Sequence, residues 1–419
     1  MALLDALARL RGELPVAVSA LHVHHGLSPN ADAWAAFCAA ECECRGVALD
    51  LRRARVARAP GESLEAAARA ARFAALADAG TDAVALAHHA DDQAETLLLQ
   101  LLRGAGPHGA AAMPAARGDR GPAILRPLLA LPRAALEAYA RGRGVRWIDD
   151  ESNADTGLKR NFLRHEVAPR LAAAFPGYPA TLVRAAAHQA EAAQLLDALA
   201  ALDAGAGDGG EEAGDGAATL DRARLASLAR RSPPRARNLL RWFLRRHGLP
   251  PPSSARLAAM LEQLVHAAPD ARVRLVHAGV ALGIFRNRVT VHAAAVGPFA
   301  MAWSGEPWLA LPHGVLEFAP AQGEGLAAAL LRGAPVTVRR REGGERLRIA
   351  TNRPQRSLKR LLYDAGIAPW QRTALPLVFC GDALAAVPGI GVDVAFRAAA
   401  GAPGVVVHWH PRATGPAPD

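Results

Sequence analysis

The sequence predicts an α/β protein in three parts: a parallel-sheet domain over residues 1–175, a mainly helical middle domain over 176–330, and a small α+β domain over 336–412. Three observations carry that reading. Strand-like and helix-like segments alternate through the first half, the order that builds parallel sheets. A long helical stretch then runs into a Gly/Asp/Glu-rich segment at 203–218, which cannot bury a core and reads as a flexible, solvated linker. A third, arginine-dense segment begins near Val336 after another Gly/Pro-containing stretch.

The elements follow in order. Val16-Ala-Val-Ser-Ala-Leu-His-Val is β-rich, and residues 30–46 read as a helix closed by Gly46. Val47-Ala-Leu-Asp-Leu is a second strand. Residues 63–79 read as a helix with Ser63 as N-cap and Gly80 just past its end. Ala83-Val-Ala-Leu-Ala is a third apolar run, followed by a helix from about Asp91 to Leu102. Such alternation describes a Rossmann-like sheet, whose ligands bind at the carboxyl ends of the strands. Beyond it, 132–202 and 220–266 read as helical, and 273–292 as a pair of hairpin strands.

Bulk properties narrow the classes. The chain has 419 residues, 51% hydrophobic and 21% charged, which suits two or three globular domains. No uncharged apolar run of about 18 residues occurs, so a membrane partner is not expected. The N-terminus has no basic start followed by an apolar core, unlike a secretory signal. Four cysteines point to a reducing cytoplasm rather than a disulfide scaffold. Cys38, Cys42 and Cys44 lack paired C-x-x-C spacing and read as small helix-face residues, not metal ligands. The net charge of +10 favours a polyanion, nucleic acid first. Lys159 and Lys359 are the only lysines, so part of that basicity reads as an arginine-favouring coding bias.

Chemistry concentrates at Leu86-Ala-His-His-Ala-Asp-Asp-Gln-Ala-Glu-Thr, where an apolar strand ends and a helix begins. On that helix Asp91 and Glu95 are i,i+4 and Asp92 and Glu95 are i,i+3, beside His88 and His89. Converging carboxylates can hold Mg²⁺, orient an amine or handle a proton. Acidic residues at a helix N-terminus also complement the helix dipole, but two histidines and a third carboxylate exceed what that needs. His22 and His24 share one face of a strand; a packed strand end near a nucleotide explains them better than a metal site.

The run is similar to the His-His-x-Asp-Asp-Gln-x-Glu-Thr motif of tRNA(Ile)-lysidine synthases, of the PP-loop ATP-pyrophosphatase superfamily. Its flanks resemble the family too: His22-Val-His-His-Gly-Leu, Glu65-Ala-Ala-Ala-Arg-Ala-Ala-Arg-Phe, Arg103-Gly-Ala-Gly with Gly109 to Met113, Leu125-Arg-Pro-Leu-Leu, Trp147-Ile-Asp-Asp-Glu-Ser-Asn and Arg160-Asn-Phe-Leu-Arg. Ala111 stands where the family usually has Leu. The resemblance runs in family order over about residues 1–171, and more weakly from Val336 to about Asp393.

The resemblance implies a ligase that adenylates the wobble cytidine of a CAU-anticodon tRNA(Ile) with ATP, releases pyrophosphate, and lets the ε-amine of L-lysine displace AMP. Residue by residue, it implies phosphate contacts or proton transfer at His88 or His89, and guanidinium contacts to phosphate from Arg160 and Arg164. Asp91 or Asp92 would bind Mg²⁺. Asp92 and Glu95 would hold the lysine amine, with Arg69 or Arg72 on its carboxylate; a plain ion pair of those arginines with Glu65 is the competing reading. His22, Arg103 and Gly104 would lie at ATP. The family's Ser-Gly-Gly-x-Asp-Ser loop, which cradles pyrophosphate on backbone N–H groups, does not occur in these residues. The expectation is a nucleotide domain lacking its first strand and loop, and a chain inactive as it stands.

Ten basic residues lie between Val336 and Arg372, opposed by Glu342, Glu345 and Asp364. Arg339, Arg340, Arg341, Arg356, Lys359 and Arg360 form a candidate tRNA-phosphate face. A solvated arginine face remains open as the alternative. Two other classes also stay open: another PP-loop enzyme of the tRNA 2-thiocytidine thiolase kind, which would want paired cysteines, and a non-catalytic basic RNA-binding remnant. Oligomeric state is left open, a homodimer included.

Overall fold

A computed structural model describes residues 1–58, 63–118, 121–205, 219–267, 275–293 and 297–412. It divides into two compact units, residues 1–196 and 197–419.

Unit 1 begins with α1 (Ala2–Leu10), β1 (Ser19–His24), α2 (Ala31–Cys44), β2 (Ala48–Arg53) and α3 (Leu64–Ala77). It continues with β3 (Ala83–Ala85), α4 (Ala90–Leu102), α5 (Pro107–Ala110), β4 (Ala116–Arg117), β5 (Ala123–Leu125) and α6 (Arg133–Gly142). The short α7 (Lys159–Phe162), a π-helical turn at Leu163–Val167, α8 (Ala168–Ala174) and the start of α9 (Tyr178–Ala204) complete it. The expected parallel pairing is present: β1 runs parallel to β2, from Ser19 opposite Ala48 to His24 opposite Arg53. β3 runs parallel to β5, and β4 closes that second sheet antiparallel.

Local chemistry sets the helix ends. Ser63 caps α3 by accepting from the Ala66 N–H. Gly46 and Gly80 follow α2 and α3 with φ of 57° and 64°, a left-handed turn that any other residue would strain. The linker expected over 203–218 lies outside the described residues from 206 onward; Asp203 and Ala204 belong to α9.

In unit 2 the middle segment holds β6 (Thr219–Asp221), α10 (Arg222–Arg231), α11 (Pro233–Arg246), α12 (Ser254–His266), β7 (Leu275–His277), β8 (Val280–Phe285) and β9 (Arg288–Ala293). The three helices match the helical reading. The hairpin gains β6, giving an antiparallel sheet in the order β6-β9-β8-β7. Leu225, Leu239, Leu240, Phe243, Leu257, Met260 and Leu282 form its fully enclosed core.

The rest of unit 2 comprises β10 (Ala300–Trp303), β11 (Trp308–Leu311), β12 (Gly314–Gln322), β13 (Leu326–Ala327), α13 (Ala328–Gly333), β14 (Val336–Arg339), β15 (Arg346–Leu347) and β16 (Arg356–Ser357). Then follow α14 (Leu358–Asp364), α15 (Pro369–Ala374), β17 (Leu377–Cys380), β18 (Ala383–Val387), β19 (Gly391–Val392) and β20 (Pro403–Pro411). Here the structure shifts a boundary. Residues 300–327, placed in the middle domain by the sequence reading, supply β10 to the sheet β10-β14-β17-β18-β19 and β11, β12 and β13 to the sheet β11-β12-β20-β13. The reason is pairing at long range: β12 lies against β20 over nine residue pairs, Gly314–Pro411 to Gln322–Pro403, a partnership invisible to local patterning.

Within unit 2, Trp370 of α15 packs on the middle sheet. Its ring stacks on His292 of β9, with centroids 4.4 Å apart and planes 2° from parallel. It also covers Gly283 of β8, where an added Cβ would meet the indole at 2.4 Å.

Candidate active site at the start of helix α4

The site is built where β3 hands over to α4. The Leu86 N–H donates to the Leu125 carbonyl at 2.8 Å and the Ala90 N–H to the Leu131 carbonyl at 2.9 Å, fixing the intervening turn. His89 is the N-cap. Its Nδ1 accepts from the Asp92 N–H at 3.3 Å, while Asp92 Oδ2 accepts from the His89 N–H at 3.1 Å. This reciprocal cap satisfies two N–H groups that a helix start leaves open. Asp91 accepts from the Arg133 N–H at 2.8 Å. The adjacent His89 ring, helped by that N–H, outweighs partial burial and holds its carboxyl below the usual range.

Glu95 is buried, 6% exposed, and two arginines meet it. Arg164 grips it bidentately, Nε to Oε1 at 2.7 Å and Nη2 to Oε2 at 3.0 Å, and Nη2 reaches Asp92 Oδ1 at 3.3 Å. Arg160 Nε lies 3.3 Å from Glu95 Oε2, and its Nη2 donates to Thr96 Oγ at 2.6 Å. A buried carboxylate requires such pairing. The acids and arginines named from sequence therefore lie together, engaged on each other. Glu95 and Arg164 form a neutralised pair, not an open amine site and an open phosphate site. Arg164 stands in the π-helical turn between α7 and α8, an irregularity frequent at functional positions.

A second, cationic side surrounds His88. Arg126, itself buried, donates from Nε to His88 Nδ1 at 3.3 Å and from Nη1 to the Pro114 carbonyl at 2.8 Å. A guanidinium only donates, so Nδ1 must be the acceptor and His88 carries its proton on Nε2. Burial, with repulsion from Arg126, Arg160 and Arg72 against the pull of Asp92, lowers its pKa to about 4. Arg72 is pushed down by burial, then by Arg69 and Arg160, and Arg126 by burial, then by Arg117 and Arg69. Arg69 and Arg72 lie against the Phe73 ring at 5.0 and 5.9 Å. Their competing pairing with Glu65 involves a side chain outside those described. These guanidinia repel one another around a neutral imidazole donor, the electrostatics of an anion site.

His22, near the end of β1, is lowered by burial, then by His24 and His25. His24 bonds Asp32 at 3.2 Å, which accounts for it without a metal. His25 feels Arg72 after its own burial, so this strand end belongs with the cationic side. Arg103 and Gly104 do not. They follow the last residue of the 13-residue α4, roughly 20 Å from its start at 1.5 Å per residue, and Gly104 makes the closing turn with φ 73°.

Among the described residues no three or more His, Cys, Asp or Glu side chains converge as a metal cage. Asp92 is spent on His89 and Arg164. What remains fits one carboxylate, Asp91, facing an ion that arrives on nucleotide phosphates, the usual binding of Mg²⁺.

Several contributors were not singled out from sequence. Arg126 could have been, since an arginine directly after a strand invites a partner. Tyr178, at the start of α9, is raised by burial and then by Asp91 and Glu95; no local signal marks it. Gln93, inside the motif, proves structural: its amide donates to the Met113 carbonyl at 2.9 Å and accepts from the Met113 N–H at 3.0 Å. Asn161 likewise donates to the Ser152 and Asp155 carbonyls at 2.8 and 3.0 Å.

In unit 2 the basic segment is partly paired. Arg339 bonds Glu342 and lies 4.0 Å above the Phe379 ring. Arg341 bonds Glu345 at 3.0 Å. Arg356 and Arg360 share Asp364 at 2.6 and 3.0 Å. Arg340, just past the end of β14, donates its backbone N–H to the Phe299 carbonyl. Lys359 is exposed on α14.

Comparison with known proteins matches all three parts of the chain. A PP-loop domain model matches residues 1–171, a TilS substrate-binding domain model 224–290, and a TilS substrate C-terminal domain model 336–409. A tRNA(Ile)-lysidine synthase of Nitrosomonas europaea is 41% identical, over 98% of this chain and 89% of that protein. One of Aromatoleum aromaticum is 43% identical, over 97% of this chain and 94% of that protein. The chain belongs to the tRNA(Ile)-lysidine synthase family, ATP-dependent, tRNA-modifying ligases built on a PP-loop domain.

Proposed function

We propose that the chain's chemistry is the joining of L-lysine to the wobble cytidine of an isoleucine tRNA through an adenylated base. The observation that carries this is the two-sided site: carboxylates Asp91, Asp92 and Glu95 on α4 facing Arg160, Arg164 and the cationic group around His88. In the first step the base O2 bonds to the α-phosphorus and pyrophosphate leaves. In the second, the lysine ε-nitrogen bonds to C2, the C2–O bond breaks, and AMP departs with that oxygen. His88, neutral and donating from Nε2, and Arg72 and Arg126 suit the phosphate. Magnesium, held by Asp91, would neutralise phosphate charge when bound.

The Glu95–Arg164 pair is the lysine site in a resting arrangement. An incoming ammonium competes with the Arg164 guanidinium for Glu95 and Asp92, and a released Arg164 is then free to meet phosphate. This reading joins two sets of roles that the sequence assigned separately. The basic residues Arg339, Arg340, Arg341, Arg356, Lys359 and Arg360 take tRNA phosphates.

The 419 residues hold no Ser-Gly-Gly-x-Asp-Ser run, so we infer that they do not complete the ATP site by themselves. The test uses radiolabelled lysine, ATP and isoleucine tRNA, with this chain and with one given such a loop at its N-terminus. Label should enter tRNA only with the loop-bearing chain, and Glu95→Gln should raise its KM for lysine at least tenfold. Pyrophosphate release by the 419 residues alone would overturn the loop inference. An unchanged lysine KM would remove Glu95 from the lysine site.

A further inference from the structure

A groove on unit 1 is used by none of these roles. It lies between the second half of α4 and the segment leading into α7, measures about 390 Å³, and is lined by Leu99, Leu102, Arg103, Gly157, Lys159 and Phe162 among others. Its floor is unusually open for apolar side chains: Leu102 is 75% exposed and Phe162 49%. The concavity has the volume to take a planar ring. Arg103 and Lys159 are both exposed on its rim, and among the described residues neither enters a salt bridge.

An aromatic and aliphatic floor with two uncommitted cations matches an unpaired nucleobase flanked by its phosphates. The ring offers stacking, the cations offer charge, and neither demands a particular base edge. An uncharged apolar ligand would leave the cations without partners. The groove also adjoins the acid–arginine site. Leu99 stands one helical turn beyond Glu95 on α4, and Phe162 sits between Arg160 and Arg164 in sequence.

We propose that this groove holds an unpaired nucleobase next to the one being modified, stacked on Phe162, with Arg103 and Lys159 on the adjoining phosphates. The proposal rests on the RNA-substrate reading above and extends it to a second base pocket.

The chain itself supplies the probe. Lys159 and Lys359 are its only lysines, one in the groove and one on the basic face of unit 2. The 419-residue chain is treated with an amine-acetylating reagent, alone, with an RNA stem-loop carrying an unpaired loop, and with a fully paired duplex. Each lysine is read by mass spectrometry. The stem-loop should slow acetylation of Lys159 several-fold and the duplex should not. Phe162→Ala should weaken stem-loop binding about tenfold, Phe162→Trp should preserve it, and Arg103→Gln should weaken it with lower salt dependence. Protection of Lys359 without protection of Lys159 would overturn the groove proposal and leave the RNA reading standing. Protection of neither, with no binding, would overturn both. Protection of Lys159 that grows with protein concentration and needs no RNA would assign the groove to a second copy of the chain and overturn the proposal.

Discussion

Unit 1 and unit 2 hold themselves together differently. Unit 2 encloses three apolar clusters, among them the Leu239, Leu240, Phe243, Leu257 and Met260 group, nearly all with negligible exposure. Unit 1, among the described residues, has one small cluster around Leu97, Ala110 and Ala186. It also carries most of the exposed large apolar residues, including Leu14, Val16, Leu51, Leu101, Leu102, Phe162 and Phe175. What orders unit 1 is polar: Gln93 on Met113, Asn161 on two carbonyls, Glu41 between Arg45 and Arg146, and Arg164 on Glu95. The chemistry is thus mounted on a frame held by directional bonds, while the arginine-rich face stands on a hydrophobic one. Apolar burial scales with area, whereas a hydrogen bond adds only about 1 kcal/mol net. Unit 1 should therefore open first in denaturant, read by pulse proteolysis with fragments assigned to each unit; simultaneous loss of both would erase the contrast.

The largest effect should come from cutting the apolar frame. Leu240→Ala leaves a cavity in a site with no solvent access and should cost about 2–5 kcal/mol, shifting the midpoint of unit 2 and sparing unit 1. A shift confined to unit 1 would invert the assignment.

Next comes the polar frame. Gln93→Ala leaves both the N–H and the carbonyl of Met113 without their partner and should cost about 1–3 kcal/mol, in unit 1 alone. Gln93→Glu keeps an acceptor for the N–H but sets a buried carboxylate against the Met113 carbonyl oxygen, and should cost at least as much as the alanine.

A pH series sharpens the same contrast. The folded pKa of His88 is about 4, below its ordinary 6.5. Between those values the unfolded chain binds more protons. The stability tied to neutral His88 is therefore fully present above about pH 6.5 and is lost as pH falls toward 4. His22 and His25, lowered by burial, add in the same direction. The midpoint of unit 1 should fall between pH 7 and pH 5, and His88→Gln should flatten part of that fall. An unchanged slope in the variant would place the titration elsewhere.

The smallest effect on stability belongs to the basic face. Arg339→Ala removes a pair with the exposed Glu342 and a guanidinium stacked over Phe379, and should change stability by about 1 kcal/mol. Its effect should appear instead in RNA binding, as a salt dependence lower by about one unit of slope if Arg339 meets a phosphate.

How much was legible follows the same division. Strand–helix alternation, the Ser63 cap and the motif at 88–96 are local, and sequence carried them. The engagement of Glu95 by Arg164 spans 69 residues and that of His88 by Arg126 spans 38; composition can nominate such groups but cannot say that they consume one another. The sequence reading therefore gave acids and arginines separate open roles. The boundary near 300 escaped for a related reason, since β10 and β12 are recognised only through β14 and β20.

The contact between Gly283 and Trp370 limits how this chain can change over generations. A methyl at 283 would occupy the space of the indole, so Gly283→Ala is damaging while Trp370 is present. A smaller residue at 370 removes the closest contacts and leaves only the His292 ring, 2.9 Å from that methyl, to give way. The two substitutions are then non-additive, and their order decides whether a lineage can pass: the tryptophan must go first. One glycine in the middle sheet thus ties the history of that segment to the history of α15, although 87 positions separate them in the gene.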